Sequence, residues 1–122
     1  MYTMVRKKTA SVPHDLPLLS AAMKGDLKRV KQLVHEGSNV SARNREGCDA
    51  LIEAIRSDSI PSTRREKIVM FLLLHGAQPR RRDRLGFDAV TWAAIKGRCK
   101  LLELLVLSQH FPVQKLRPEW VK

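Results

Sequence analysis

LPLLSAAMKGDLKRVKQLVHEGSNV, residues Leu16 to Val40, reads as a pair of short helices, and the chain then writes that pair again. Leu18, Ala21 and Ala22 mark one packed face, where small alanines allow two helices to approach closely. Gly25-Asp26 interrupts the pattern. Val30, Leu33 and Val34 then recur at i, i+3 and i+4, the apolar stripe of a second helix. Gly37 supplies the left-handed residue that ends it. Leu18-Leu19-Ser20-Ala21 returns 33 residues later as Leu51-Ile52-Glu53-Ala54, and 39 residues after that comes Val90-Thr91-Trp92-Ala93-Ala94. Gly37 and Gly76 stand 39 apart, as do Gly47 and Gly86. A fixed period of this size predicts stacked units that share one continuous core. The underlying period is 33, so the second unit carries six additional residues.

Outward from that pair, Asp15 is placed to cap the first helix and Pro17 falls in its first turn, where a missing N–H does no harm. The second helix is expected from Leu27 to Glu36. Ser38 to Cys48 links the units, with the turn signal Asn44-Arg45-Glu46-Gly47 at its tip. Asp49 caps the third helix, whose Leu51, Ala54 and Ile55 face inward. The extra residues fall in Asp58-Ser59-Ile60-Pro61-Ser62. They are expected to form a surface loop that leaves the stacking undisturbed, because loop-closure entropy grows slowly with length. Thr63 and Glu66 have capping-box spacing, which starts the fourth helix there and runs it to about His75. Gly76 ends it, and Gln78 to Phe87 repeats the linker with the basic tip PRRRDRLG. Asp88 caps the fifth helix, Gly97 ends it, and the sixth covers Arg98 to Ser108. The organisation is therefore a flexible basic arm at 1–13, a repeat domain at 14–110 (units at about 14–43, 44–82 and 83–110), and a tail at 111–122.

Composition narrows the class of partner. Lys and Arg number 23 against 12 Asp and Glu, a formal charge of +11, which favours an acidic protein surface, a nucleic acid or anionic lipid. Aromatics are only 5% of the chain, so the core is aliphatic. Cys48 and Cys99 make no disulfide framework. The start, MYTMVRKKTASVPH, lacks the apolar stretch of a secretory signal. The longest apolar run, Ile68 to Leu74, is seven residues, against the roughly 20 of a membrane span. An intracellular protein, cytoplasmic or nuclear, is expected. Arg6-Lys7-Lys8 would suit nuclear import or an ordinary basic tail.

The pattern resembles the ankyrin repeat: a turn, two antiparallel helices, and an extended linker to the next turn. The first copy matches the family motif at Pro17-Leu18, Ala21-Ala22, Gly25, Val30, Leu33-Val34 and Gly37. The second matches at Gly47, Leu51, Ala54, Val69, Leu72-Leu73 and Gly76-Ala77, with Asn44 in place of the turn Asp. The third has Asp83, Gly86, Ala93-Ala94, Gly97, Leu102 and Leu104-Leu105-Val106. The motif Thr is Leu16, Asp49 and Asp88, and the motif His is Leu19, Ile52 and Thr91. The resemblance implies an all-α fold, an ankyrin-repeat solenoid of three helix-turn-helix repeats joined by hairpin-like turns. The missing His bonds imply a divergent domain of reduced stability.

No catalytic constellation is legible. Neither cysteine has CxxC or Cys-His spacing for zinc. Cys99 falls at an apolar position of the sixth helix and is expected in the core; Cys48, beside a turn glycine, is a candidate thiol. His35 and His75 precede helix-ending glycines, where an imidazolium complements the helix dipole. No phosphate-cradling loop is present. A non-enzyme without metal or cofactor is expected.

Partners of the ankyrin family usually meet a concave face made of turn tips and the first helix of each pair. Carried over by position, the tips place Arg43, Arg45, Glu46 and Cys48 beside Arg82, Arg84, Leu85 and Phe87. The first helices contribute Met23, Lys24, Arg56, Ser57, Ile95 and Lys96. Seven of these fourteen are Lys or Arg and one is acidic. Phe87, Leu85 and Ile95 interleave apolar groups with the arginines, a composition closer to a binding surface than to a solvated one. Trp92 is expected as half-buried core. The function implied is a protein-interaction module for an acidic peptide or protein surface, the N-terminal part of a larger scaffold or regulatory protein. Nucleic-acid contact is the alternative, without a stacking platform to support it.

The two ends of the array read differently. Lys28-Arg29-Val30-Lys31-Gln32-Leu33 is polar, as a terminal unit should be. Leu101, Leu104 and Leu107 occupy the positions of Arg29, Gln32 and His35, which predicts an apolar stripe in need of cover. A fourth repeat in a longer chain, the tail residues Phe111, Val113, Leu116 and Trp120, or self-association through the last helix pair would provide it.

Overall fold

Six apolar stripes become six helices: α1 (Val12–Lys24), α2 (Leu27–His35), α3 (Ala50–Arg56), α4 (Ser62–Leu74), α5 (Ala89–Ile95) and α6 (Cys99–His110). They are seen in a computed structural model that describes residues 12–110, with side chains from 17 to 108. The basic arm before Val12 and the tail after His110 lie outside the described residues. Each pair closes on itself, α1 with α2, α3 with α4, α5 with α6. The inner helices then stack as α1, α3 and α5, and the outer ones as α2, α4 and α6. No strand occurs among the described residues. Two hairpin-like fingers, Asn44–Cys48 and Asp83–Phe87, project from the inner layer.

The core is centred on α3. Ala50, Leu51, Ile52, Glu53, Ala54 and Ile55 are all buried, so this short helix is covered on every side. Leu18 and Ala22 of α1, Ile68, Val69 and Leu72 of α4, and Ala93 of α5 join it without exposed surface. Helices this short are not stable alone and depend on such packing. Asp49 and Asp88 cap α3 and α5 as their positions predict, accepting from the Ile52 and Thr91 N–H groups at 3.0 and 2.8 Å. Leu101 is buried at 2% exposure, so it is not part of an open stripe. The apolar surface left on α6 is instead a shallow groove of Cys99, Leu102, Val106 and Leu107, crossed by Glu103. Leu102 holds the register of Val30 and Val69, which are fully buried.

Several local expectations are corrected. Helix α1 begins at Val12, so Asp15 lies inside it and is not its cap. Helix α4 begins at Ser62 after Pro61, and no side chain caps it. The Thr63–Glu66 box does not form, because Pro61 already sits at φ −59°, ψ 142° and its carbonyl accepts the first ladder bond from the Arg65 N–H. Cys99 is exposed: it opens α6 on the uncovered side of the last pair.

The largest correction concerns the extra residues. In the first unit, the Gly25 N–H donates to Ala22 O and the Asp26 N–H to Ala21 O. In the third, Gly97 and Arg98 do the same to Ala94 O and Ala93 O. Gly25 and Gly97 have φ of 79° and 68°, the left-handed conformation that such a helix ending requires. In the second unit the glycine's place is taken by Arg64, and Ser57–Arg64 stands where the third unit has only Lys96-Gly97. The matching carbonyls of α3, Ala54 O and Ile55 O, would then be orphaned inside the core. Two guanidinium groups take them: Arg65 Nε donates to Ala54 O at 3.1 Å and Arg98 Nε to Ile55 O at 2.9 Å. Their Nη2 atoms share Ser57 O, at 2.6 and 3.0 Å, and Arg65 Nη2 also reaches Ile60 O at 3.0 Å. Arg65 and Arg98 are register equivalents, 33 residues apart, and approach α3 from its own unit and from the next.

The insertion is thus a packed element and not a passive loop. Ile60 is 5% exposed and sits on the first unit's hairpin, where a Cβ on Gly25 would come within 2.9 Å of its Cγ2. Ser57 Oγ donates to Met23 O at 2.7 Å. On the other side Asp58 accepts from Lys96 at 3.0 Å and from Arg98 at 3.2 Å, which holds its carboxyl below the ordinary aspartate range. Burial lowers the Arg65 pKa, and the neighbouring Arg98 charge adds to the effect. The guanidinium stays protonated all the same.

Arg65→Met should therefore cost about 3 kcal/mol in urea unfolding, because several buried acceptors lose their donor at about 1–3 kcal/mol each. Arg65→Lys should recover only part of it, since one ammonium cannot span three carbonyls. Ile60→Ala should cost about 2 kcal/mol or more through the cavity it leaves against Gly25. A loss within about 0.5 kcal/mol, the range of ordinary surface changes, would make the insertion a solvated loop after all.

Candidate functional site

The fingers are built by one acceptor each. Asn44 Oδ1 accepts from the Glu46 N–H at 2.9 Å and the Cys48 N–H at 3.0 Å. Asp83 Oδ1 accepts from the Leu85 and Phe87 N–H groups at 3.0 and 2.9 Å. Backbone bonds close both turns, Asn44 N–H to Cys48 O at 3.0 Å and Asp83 N–H to Phe87 O at 2.8 Å. The fingers then join side by side. The Arg84 N–H donates to Glu46 O at 3.0 Å, and a Cβ on Gly47 would come within 3.0 Å of the Arg84 nitrogen. Side chains reinforce the seam: Arg43 Nη1 donates to Arg82 O at 3.3 Å and Arg81 Nη1 to Ser41 O at 2.8 Å.

Each finger is also bolted to its inner helix, with donor and acceptor exchanged between units. Asn44 Nδ2 donates to Glu53 Oε2 at 3.0 Å, whereas Trp92 Nε1 donates to Asp83 Oδ2 at 2.8 Å. Both pairs are nine residues apart. An amide facing a carboxylate in one unit matches a carboxylate facing an indole in the next. This pairing was legible only by laying the units in register, where Asn and Asp share one position and Glu and Trp another.

Of the fourteen sequence-derived positions, Met23, Lys24, Arg43, Arg45, Glu46, Arg82, Arg84, Leu85 and Ile95 are exposed, and Arg56, Ser57, Phe87 and Lys96 are half-buried. Cys48 is the correction. It has no exposed surface, because its N–H bond to Asn44 turns it under the finger. Burial pushes its thiol up to about 11, with Glu53 adding to the rise, so it is neither a contact residue nor a reactive thiol at neutral pH.

The charges are not equivalent either. Arg56 lies 3.8 Å from Glu46 and 3.9 Å from Glu53, and its guanidinium stands 4.9 Å over the Trp92 ring. Lys96 is held by Asp58, and Arg80 by Asp88 at 2.9 Å. Arg45, Arg82 and Arg84 have no carboxylate partner among the described residues. The available positive charge therefore gathers at the finger tips, ahead of a helix row whose Arg56 and Lys96 are already neutralised. Trp92 is half-buried as expected, with Phe87 edge-on at 5.5 Å.

Asp83 titrates below the ordinary aspartate range: burial acts to raise it, and the bonds from Trp92, Phe87 and Leu85 outweigh burial. Asp83→Asn should cost about 1–3 kcal/mol, because the amide that keeps the finger N–H bonds must point its own N–H₂ at the indole donor. The stability that the carboxylate adds is complete above the unfolded-state pKa and is lost as pH falls through the lower folded pKa. Urea unfolding followed by tryptophan fluorescence should show the gap between the parent and Asp83→Asn narrowing below about pH 4.

Among the described residues, no helix is long and apolar enough to cross a membrane. A family model for ankyrin repeats, in three copies, matches residues 18–115. Repeats of this kind are generally protein–protein interaction modules and typically non-catalytic. With three stacked helix pairs and paired fingers agreeing with that match, the chain belongs to the ankyrin repeat family.

Proposed function

We propose that this chain docks an acidic peptide or protein surface on its finger tips, with Arg45, Arg82 and Arg84 meeting the partner's carboxylates. One observation carries the reading: these three arginines are exposed on the fingers and lack an anionic partner, while Arg56, Arg80 and Lys96 are each paired with a carboxylate. The fingers that carry them are tied to each other and to the inner helices, so little ordering is needed when a ligand arrives. Arginine also meets carboxylates with two parallel bonds, which gives orientation as well as attraction.

Nucleic acid is less well served. The Trp92 ring has Arg56 over it and Phe87 against its side, which obstructs base stacking there.

The triple variant Arg45→Glu, Arg82→Glu, Arg84→Glu should lose at least ten-fold in affinity for acidic partners while its circular dichroism spectrum is unchanged. Duplex DNA and a single-stranded oligonucleotide should bind the parent more weakly than an acidic peptide at equal salt. Retained binding of acidic partners by the triple variant, or preference for the oligonucleotides, would overturn the proposal.

A further inference from the structure

The concave face divides into two columns of opposite character. In the second unit the column from finger tip to inner helix is Glu46, Cys48, Glu53 and Arg56, a set whose charges pair with one another. The register equivalents in the third unit, 39 residues on, are Leu85, Phe87, Trp92 and Ile95. Leu85 is 69% exposed and Ile95 55%, with the half-buried Phe87–Trp92 pair between them in sequence. Trp92 and Ile95 are three residues apart on α5 and so share one helix face.

At Leu85 and Ile95 this exposure is not the mark of a missing neighbour in the stack, whereas Phe87 and Trp92 correspond to Cys48 and Glu53, which are buried where a further unit follows. Glu46, the equivalent of Leu85, is exposed as well. Ile95 is equivalent to Met23 and Arg56, which also show surface although a further unit follows each of them. The column is also held in place. Asp83 accepts from Leu85 and Phe87 with one oxygen and from Trp92 with the other, so one carboxylate fixes three of the four apolar residues. Arg82 and Arg84 flank Asp83 on the same finger, and Arg45 stands on the adjoining one. Rigid aromatic and aliphatic groups rimmed by unpaired arginines match the anchors that dominate protein interfaces.

We infer that the third-unit column is an apolar anchor site, and that the partner is an acidic segment carrying bulky aliphatic or aromatic side chains. Its carboxylates meet the tip arginines while apolar side chains along the segment rest on Leu85, Phe87 and Ile95, beside the Trp92 ring that Arg56 covers. The inference rests on the acidic-partner reading above and sharpens it: charge alone would leave the column exposed in the complex. Arg56, held by Glu46 and Glu53, limits the second-unit column to polar neighbours.

A phage-displayed library of random dodecapeptides, selected on the full chain, tests this. Peptides enriched in Asp or Glu together with Leu, Ile, Phe or Trp are expected. Selection on Leu85→Ser, Ile95→Ser should keep the acidic enrichment and lose the apolar one. The best peptide should bind that double variant at least ten-fold more weakly, about 1.4 kcal/mol. Both changes are at exposed positions, and an unchanged circular dichroism spectrum confirms the fold. Acidic peptides without apolar enrichment, or equal binding by the double variant, would sink the anchor site and leave the acidic reading standing. Selection with no acidic enrichment at all would sink both.

Discussion

A short helix buried on every side must still satisfy the carbonyls at its end. That constraint falls on α3, and the way it is met organises the molecule. The units on either side end their inner helices with a glycine, so the backbone of the following turn takes the last carbonyls. The second unit has no glycine there, and its longer connection carries the backbone away. Arg65 and Arg98 supply from their side chains what Gly25-Asp26 and Gly97-Arg98 supply from the main chain. Unpaired carbonyls at this depth would be costly enough to threaten a domain of this size.

The substitution binds the units together more tightly than a glycine ending would. A backbone cap acts within one unit, whereas Arg98 reaches from the third into the second. Ile60 and Ser57 meanwhile lean on the first. One segment therefore touches all three units. In a solenoid, where each unit otherwise contacts only its neighbours, such a clasp limits bending between the first and third. The inner helices and fingers are then held in fixed relation, which is what a preorganised face requires.

Much of the fold was legible in the sequence because period, glycine and apolar stripe coincide three times. Asp49 and Asp88 as caps follow from position alone, and so does the pairing of the fingers. The insertion was misread for a physical reason. Loop entropy says that six residues are tolerated, but it is silent on what the chain must replace when a glycine cap is displaced. Ile60 was a clue, an apolar residue in an otherwise polar stretch. Cys48 was misplaced because neighbouring turn positions alternate between surface and core, and the bond to Asn44 decides which. Leu101 was read from the wrong side of its helix, since terminal units differ in the face that lacks a neighbour. At the site, the residue types were readable, but which arginines are already paired depends on Glu46, Glu53 and Asp58, and only the fold brings these within reach.

The most direct test compares the Arg65→Met penalty in two backgrounds by urea unfolding. One is the natural chain; in the other, Ser57–Arg64 is replaced by Lys-Gly, the connection of the third unit. In the shortened chain the backbone regains its glycine ending, and the N–H groups that serve Ala93 and Ala94 in the third unit have counterparts for Ala54 and Ile55. The penalty should fall to about 1 kcal/mol or less there, from about 3 kcal/mol in the natural chain. An equal penalty in both backgrounds would mean that Arg65 stabilises the fold for some reason other than the carbonyls of α3.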